Sequence, residues 1–173
     1  MSSSLFWAEA EAPGRRRAGR RARAAPARGG PVAWRLSLGA ARARPGGFGH
    51  LTFQEGGAGP NGETGLIQAR PELGGDVVLA RKDVGVAYHL AVVCDDALQE
   101  ITHVVRGCDL FEAAHVQRLL QALLDLPTPV YRHHRLLAGP DGKRYAKRDK
   151  AETLRALREA GMTPERLRQE MGL

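Results

Sequence analysis

From Asp76 onward, short apolar runs of two different periods alternate along the chain, and that alternation constrains the fold more than any other feature. Asp76-Val77-Val78-Leu79-Ala80-Arg81 and Val84-Gly85-Val86-Ala87-Tyr88 have the length and β-branched content of strands, with Lys82-Asp83 as a turn between them. In His89 to Glu100, Leu90, Val93 and Ala97 fall on one helical face, while the Val92-Val93 pair favours extension; a helix is predicted from Ala91 onward. Ile101 to Gly107 again reads as a strand ending in a glycine turn. Phe111 to Leu124 carries apolar residues at 116, 119, 120, 123 and 124, an amphipathic helix stopped by Leu126-Pro127. Pro129 to His134 is a short extended segment. Strand, helix, strand, helix, strand in this order predicts an α/β domain with parallel pairing.

The front of the chain is built differently. Ten arginines lie between Gly14 and Arg44, and no Asp or Glu occurs from Ala12 to Gln54. Residues 1–30 are expected to be disordered, or to be read from a wrong start codon in a high-GC gene, rather than to form part of a core. Domain structure is expected over 31–173. Val32 to Leu38 alternates apolar and polar residues and predicts a strand, as does His50 to Glu55. Gly56 to Gly75 is rich in Gly, Pro and Asn and reads as loop with at most one short strand.

A chain of 173 residues with 43% hydrophobic content and a mean hydropathy of −0.34 is long enough for one cored domain. No apolar run approaches the roughly 20 residues of a membrane helix, so no membrane association is expected. Cys94 and Cys108 stand apart, without the paired spacing of a disulfide framework or a zinc knot. A reducing cytoplasm and a monomer are expected, with no metal site and no zinc. The net charge of +7 points to a polyanionic partner, nucleic acid or nucleotide.

That charge is densest after the Pro140-Asp141-Gly142 turn, where Lys143, Arg144, Lys147, Arg148 and Lys150 place five cations in eight residues. A glycine-hinged basic loop ahead of a helix offers N–H groups and ammonium charge to phosphate together; a solvated loop without a ligand is the plainer reading. Two short helices follow, the first over Ala151 to Ala160. The second starts at Thr163, an N-cap residue before Pro164.

Four blocks in this order carry a family resemblance. They are Gly75-Asp76-Val77-Val78-Leu79-Ala80-Arg81, Ala87-Tyr88-His89-Leu90-Ala91-Val92-Val93-Cys94-Asp95-Asp96-Ala97-Leu98, Ile101-Thr102-His103-Val104-Val105-Arg106-Gly107-Cys108-Asp109-Leu110, and Gly142 to Lys147. From about Val32 to the C-terminus the chain resembles the C-terminal half of the Rossmann-like catalytic domain of class I glutamyl-tRNA synthetases. The branch it resembles attaches glutamate to the queuosine base of tRNA(Asp). The resemblance implies a ligase that activates L-glutamate with ATP, brought as its Mg2+ complex, and transfers it to tRNA(Asp). It makes Tyr88 and Arg106 glutamate-binding residues, and a directional hydroxyl with a bidentate guanidinium suits a carboxylate-bearing substrate. Arg144, Tyr145, Ala146, Lys147 and Arg148 align with the family's KMSKS loop, which binds ATP. Lys147 matches the lysine that stabilises charge on the phosphates as pyrophosphate leaves. Arg144 keeps the charge of the lysine it replaces, whereas Ala146 lacks the serine hydroxyl.

Other family features do not occur in these 173 residues: the HIGH motif, the N-terminal arginine that grips glutamate, and the zinc-binding cysteines. A truncated or mis-started member with impaired activity is therefore expected. The stop 26 residues after Lys147 favours the glutamyl-Q branch over an ordinary glutamyl-tRNA synthetase. Asp95 and Asp96 are adjacent in a helix and point about 100° apart, so they read as supporting or capping groups, not as a metal pair. The alternatives are an inactive RNA-binding fragment or pseudoenzyme, a fragment of an ordinary glutamyl-tRNA synthetase, and a metal-dependent hydrolase using Asp95, Asp96, His133 and His134. Spacing gives the last little support, and 5% aromatic content disfavours base-stacking readout.

Overall fold

The computed structural model describes residues 7–9, 32–44, 47–83, 85–138 and 153–172, and divides the chain into two compact units, Met1–His134 and Arg135–Leu173. The first unit contains two four-stranded sheets. In one, β1 (Trp7–Glu9), β2 (Trp34–Leu36), β5 (Val78–Arg81) and β6 (Gly85–Val86) lie side by side in that order, all antiparallel. In the other, the order is β4 (Gly65–Gln68), β3 (Thr52–Glu55), β8 (Val130–His134) and β7 (His103–Gly107). There β4 is antiparallel to β3, whereas β3–β8 and β8–β7 are parallel.

Parallel pairing is thus narrower than the sequence alternation predicts. β5 belongs to a hairpin with β6 across the Lys82-Asp83 turn, and a connection that short can only return antiparallel. The helix that follows, α2 (Tyr88–Leu98), carries the chain from one sheet to the other instead of crossing over within one. The parallel crossover proper is β7–α3–β8, with α3 at Phe111–Leu124 as its helix.

Two boundaries differ from the sequence reading for local reasons. β2 ends at Leu36 because Ser37 caps a short helix, α1 (Leu38–Arg42). The Ser37 hydroxyl accepts from Ala40 N–H at 3.3 Å, and Asp76 Oδ1 accepts from Leu38 N–H at 2.8 Å. The glycine-rich stretch after β3 holds strand β4 and a 3₁₀ turn, Pro71–Leu73. Helix α2 starts at Tyr88, not Ala91. Its capping position is Ala87, which has no side-chain acceptor, so the start carried no cap signal in the sequence. Tyr88 therefore stands in the first turn of a helix and not on a strand.

The core of this unit lies where α3 covers the parallel sheet. Phe53 sits among aromatic edges, with ring centroids 6.0 Å from Phe111, 5.2 Å from His115 and 5.4 Å from Tyr131. Leu36, Leu79, Val93, Ala114, Val116, Leu119 and Leu120 belong to it as well. Strand alternation sends Phe53 and Glu55 of β3, and Tyr131 and His133 of β8, to the buried face. The second unit contains α4 (Leu154–Glu159) and α5 (Pro164–Met171), each behind a threonine N-cap. No helix among the described residues is long and apolar enough to cross a membrane.

Candidate active site

The register of the parallel sheet aligns three polar side chains across three neighbouring strands. Glu55 on β3 pairs with Tyr131 on β8, and His133, two residues on, pairs with Arg106 on β7. The crossover helix adds Gln117 from above. Arg106 Nε donates to His133 Nε2 at 3.0 Å, and its Nη1 donates to Gln117 Oε1 at 2.9 Å. The guanidinium also lies over the Tyr131 ring, 5.0 Å from its centroid. Its third nitrogen, Nη2, is buried and has no hydrogen-bond partner among the described residues; the same holds for Gln117 Nε2. With Nε and Nη1 engaged, the guanidinium keeps the N–H donors of Nη2, the kind of group that binds a carboxylate.

Beneath it, His133 and Glu55 are enclosed. Glu55 Oε2 is 2.6 Å from His133 Nδ1, while Oε1 accepts the backbone N–H of His133 at 2.9 Å and of Gly57 at 2.8 Å. Gly57 is required by this packing. A Cβ there would stand 2.1 Å from the carbonyl oxygen of His133 and 2.8 Å from its nitrogen, both backbone atoms.

Tyr88 is 49% exposed, with its ring edge-on to His89 at 5.5 Å. The His89 Nδ1 atom is buried without a partner among the described residues. Burial holds the His89 imidazole below its usual pKa, and the Arg106 charge lowers it further. Asp96 shifts upward, mainly from burial, with the Arg106 guanidinium opposing and Asp95 assisting. The Arg106 charge is thus felt at His89, whose ring meets that of its chain neighbour Tyr88. Arg144, Tyr145, Ala146, Lys147 and Arg148 lie outside the described residues.

Glu55, His133 and Gln117 were not among the sequence candidates for this site. His133 entered only the hydrolase alternative, and its ring is engaged by Glu55 and Arg106 instead. No group of three or more His, Cys, Asp or Glu that could hold a metal ion is found among the described residues.

Two sheets bridged by helices, one of them with a parallel β-α-β crossover, make a mixed α/β fold that matches class I synthetase catalytic domains. Residues 63–173 match the family model "tRNA synthetases class I (E and Q), catalytic domain", and the chain belongs to this family. The match begins later than the Val32 start suggested by the sequence resemblance. The glutamyl-Q tRNA(Asp) synthetase of Rhodobacter capsulatus is 54% identical over 99 residues, covering 57% of this chain and 36% of that protein. The glutamyl-Q tRNA(Asp) synthetase of Symbiobacterium thermophilum is 50% identical over 95 residues, covering 55% and 29%. The crystal structure of a glutamate-tRNA synthetase from Elizabethkingia anophelis superposes with a TM-score of 0.52 at 25% identity, covering 69% of this chain and 22% of that one. The matched region amounts to about a third or less of the length of each of these relatives.

Proposed function

We propose that this chain supplies the glutamate-recognising part of a ligase site that activates L-glutamate with ATP and transfers it to tRNA, the acceptor being the queuosine base of tRNA(Asp). The single observation that carries the reading is Arg106, held on two nitrogens by His133 and Gln117 with Nη2 left without a partner among the described residues. In this reading Nη2 grips a carboxylate of L-glutamate and the Tyr88 hydroxyl gives it direction. The α-carboxylate of glutamate attacks the α-phosphorus of ATP, the bond to the β-phosphate oxygen breaks, and pyrophosphate leaves with its Mg2+. The adenylate is then attacked by a hydroxyl of the tRNA acceptor, and AMP departs. Lys147 and its neighbours Arg144 to Arg148 meet the phosphates. Free Cys94 and Cys108 suit a cytoplasmic setting, and a monomer is the working unit.

Ligand-observed NMR on the 173-residue chain tests this with L-glutamate and L-aspartate as competing probes. L-Glutamate is expected to bind in preference to L-aspartate. Tyr88→Phe should weaken it about tenfold, the worth of one hydrogen bond to a charged group, and Arg106→Gln should abolish it. Equal response to both amino acids, or to neither, would overturn the reading.

A further inference from the structure

Glu55 and His133 form a device that the reaction chemistry does not by itself require. Arg106 Nε carries a hydrogen and cannot accept one, so its 3.0 Å contact obliges His133 Nε2 to be the acceptor. The ring's proton then resides on Nδ1 and is donated to Glu55 Oε2 at 2.6 Å. The other carboxylate oxygen, Oε1, receives two backbone N–H groups. Each bond in the series therefore runs in one direction only: Arg106 donates to His133, and His133 donates to Glu55. At 1% and 2% exposure, neither Glu55 nor His133 meets water that could substitute for a lost partner.

A buried carboxylate is costly unless it is compensated, and here the compensation includes a guanidinium reached through a neutral imidazole. The arrangement also removes torsional freedom from Arg106. Arginine side chains carry substantial rotamer entropy, part of which a free guanidinium would lose on gripping a ligand. With Nε on His133 and Nη1 on Gln117, that loss is taken during folding.

We infer that Glu55 and His133 are positioning residues, which fix the orientation of the Arg106 guanidinium, whose Nη2 donates to the carboxylate of an amino-acid ligand. The inference rests on the glutamate reading for the identity of that ligand. Glu55→Gln is the diagnostic substitution because it preserves size. Its single oxygen is needed by the two backbone N–H groups, which turns the amide NH₂ toward His133 Nδ1. The imidazole must then accept at Nδ1 and carry its proton on Nε2, where it meets the Arg106 Nε–H donor head-on.

The experiment is nitrogen-15 NMR of the histidine rings and of the Arg106 Nε–H in the full 173-residue chain, with L-glutamate titrated in. Wild type is expected to show His133 protonated on Nδ1 and one slowly exchanging Arg106 Nε–H. E55Q should move the proton to Nε2, release the Arg106 signal into fast exchange, and weaken L-glutamate binding about tenfold. Two results would overturn the inference. One is a wild-type His133 protonated on Nε2, which needs no variant and decides the matter even if E55Q fails to fold. The other is an E55Q chain that changes tautomer while Arg106 exchange and L-glutamate affinity stay as in wild type. Wild-type Arg106 signals that ignore L-glutamate would sink the glutamate reading alone, because the exchange comparison still decides whether Glu55 and His133 hold the guanidinium.

Discussion

Helices α3 and α5 are held by opposite means. α3 begins without a side-chain cap, at Leu110, and ends on Asp125 in the left-handed region at φ 60, yet eight of its fourteen residues are buried. α5 buries none of its eight residues. Instead, Thr163 accepts from Arg166 N–H at 3.2 Å, Pro164 opens the first turn, and Gly172 closes the last at φ 65. An exposed Arg166–Glu170 pair at 3.1 Å adds little. Tertiary burial overrides poor ends in α3, whereas good ends substitute for burial in α5. A helix as short as α5 is marginal on propensity alone, so its caps decide whether it forms.

The sharpest way to break the buried side of this comparison lies at Gly57, against β8. An alanine Cβ would collide with backbone atoms of His133, and β8 is held there by its pairing with β7. Gly57→Ala should cost about 3 kcal/mol or more, at the top of the range for overpacking, and should also loosen Arg106. Urea unfolding measures the loss. A decrease under about 1 kcal/mol would mean that this corner of the sheet yields, contrary to the contact distances.

The same contrast explains how much of the molecule could be read in advance. α5 was legible from Thr163 and Pro164, and α3 from Val116, Leu119 and Leu120, because a cap is local and an apolar stripe repeats at a fixed spacing. The buried polar residues on α3 gave no such signal. His115, Gln117 and Gln121 resemble solvated positions until their partners are known, and those partners are Arg70, Arg106 and Tyr131. Glu55 meets His133 across 78 residues, a separation fixed only by sheet register. Tyr88 and Arg106 are proposed as site residues from family resemblance, not from any periodicity. Gly57 was passed over as one glycine in a loop-like stretch, since the backbone it touches belongs to another strand.

His115 sharpens the comparison through pH. Its Nδ1 accepts the Arg70 N–H at 3.1 Å, and its ring packs against Phe53 and Phe111. Burial is the main cause holding its pKa below the usual 6.5, so the folded state resists the proton that the unfolded chain accepts. Stability from this group is present above about pH 6.5 and is lost as pH falls toward the lower folded value. His115→Asn retains an acceptor for Arg70 but gives up ring packing. It should cost about 1–2 kcal/mol at neutral pH and flatten the wild-type decline between about pH 7.5 and 5.5. Denaturation midpoints across that window check it. An undiminished slope would assign the decline to His89, the other imidazole lowered by burial.

On the exposed side, Thr163→Ala removes the only side-chain cap of α5 while leaving every core contact intact. The expected loss is about 1 kcal/mol, borne locally, because no residue of α5 is fully buried. Amide exchange over 165–171 should accelerate about fivefold, the rate equivalent of that energy for a locally opening helix. Exchange in α3 and the urea midpoint of the first unit should not move. If Thr163→Ala instead lowered the global midpoint as much as a core substitution does, α5 would owe its stability to packing, and the division between a helix held by its ends and one held by its face would fail.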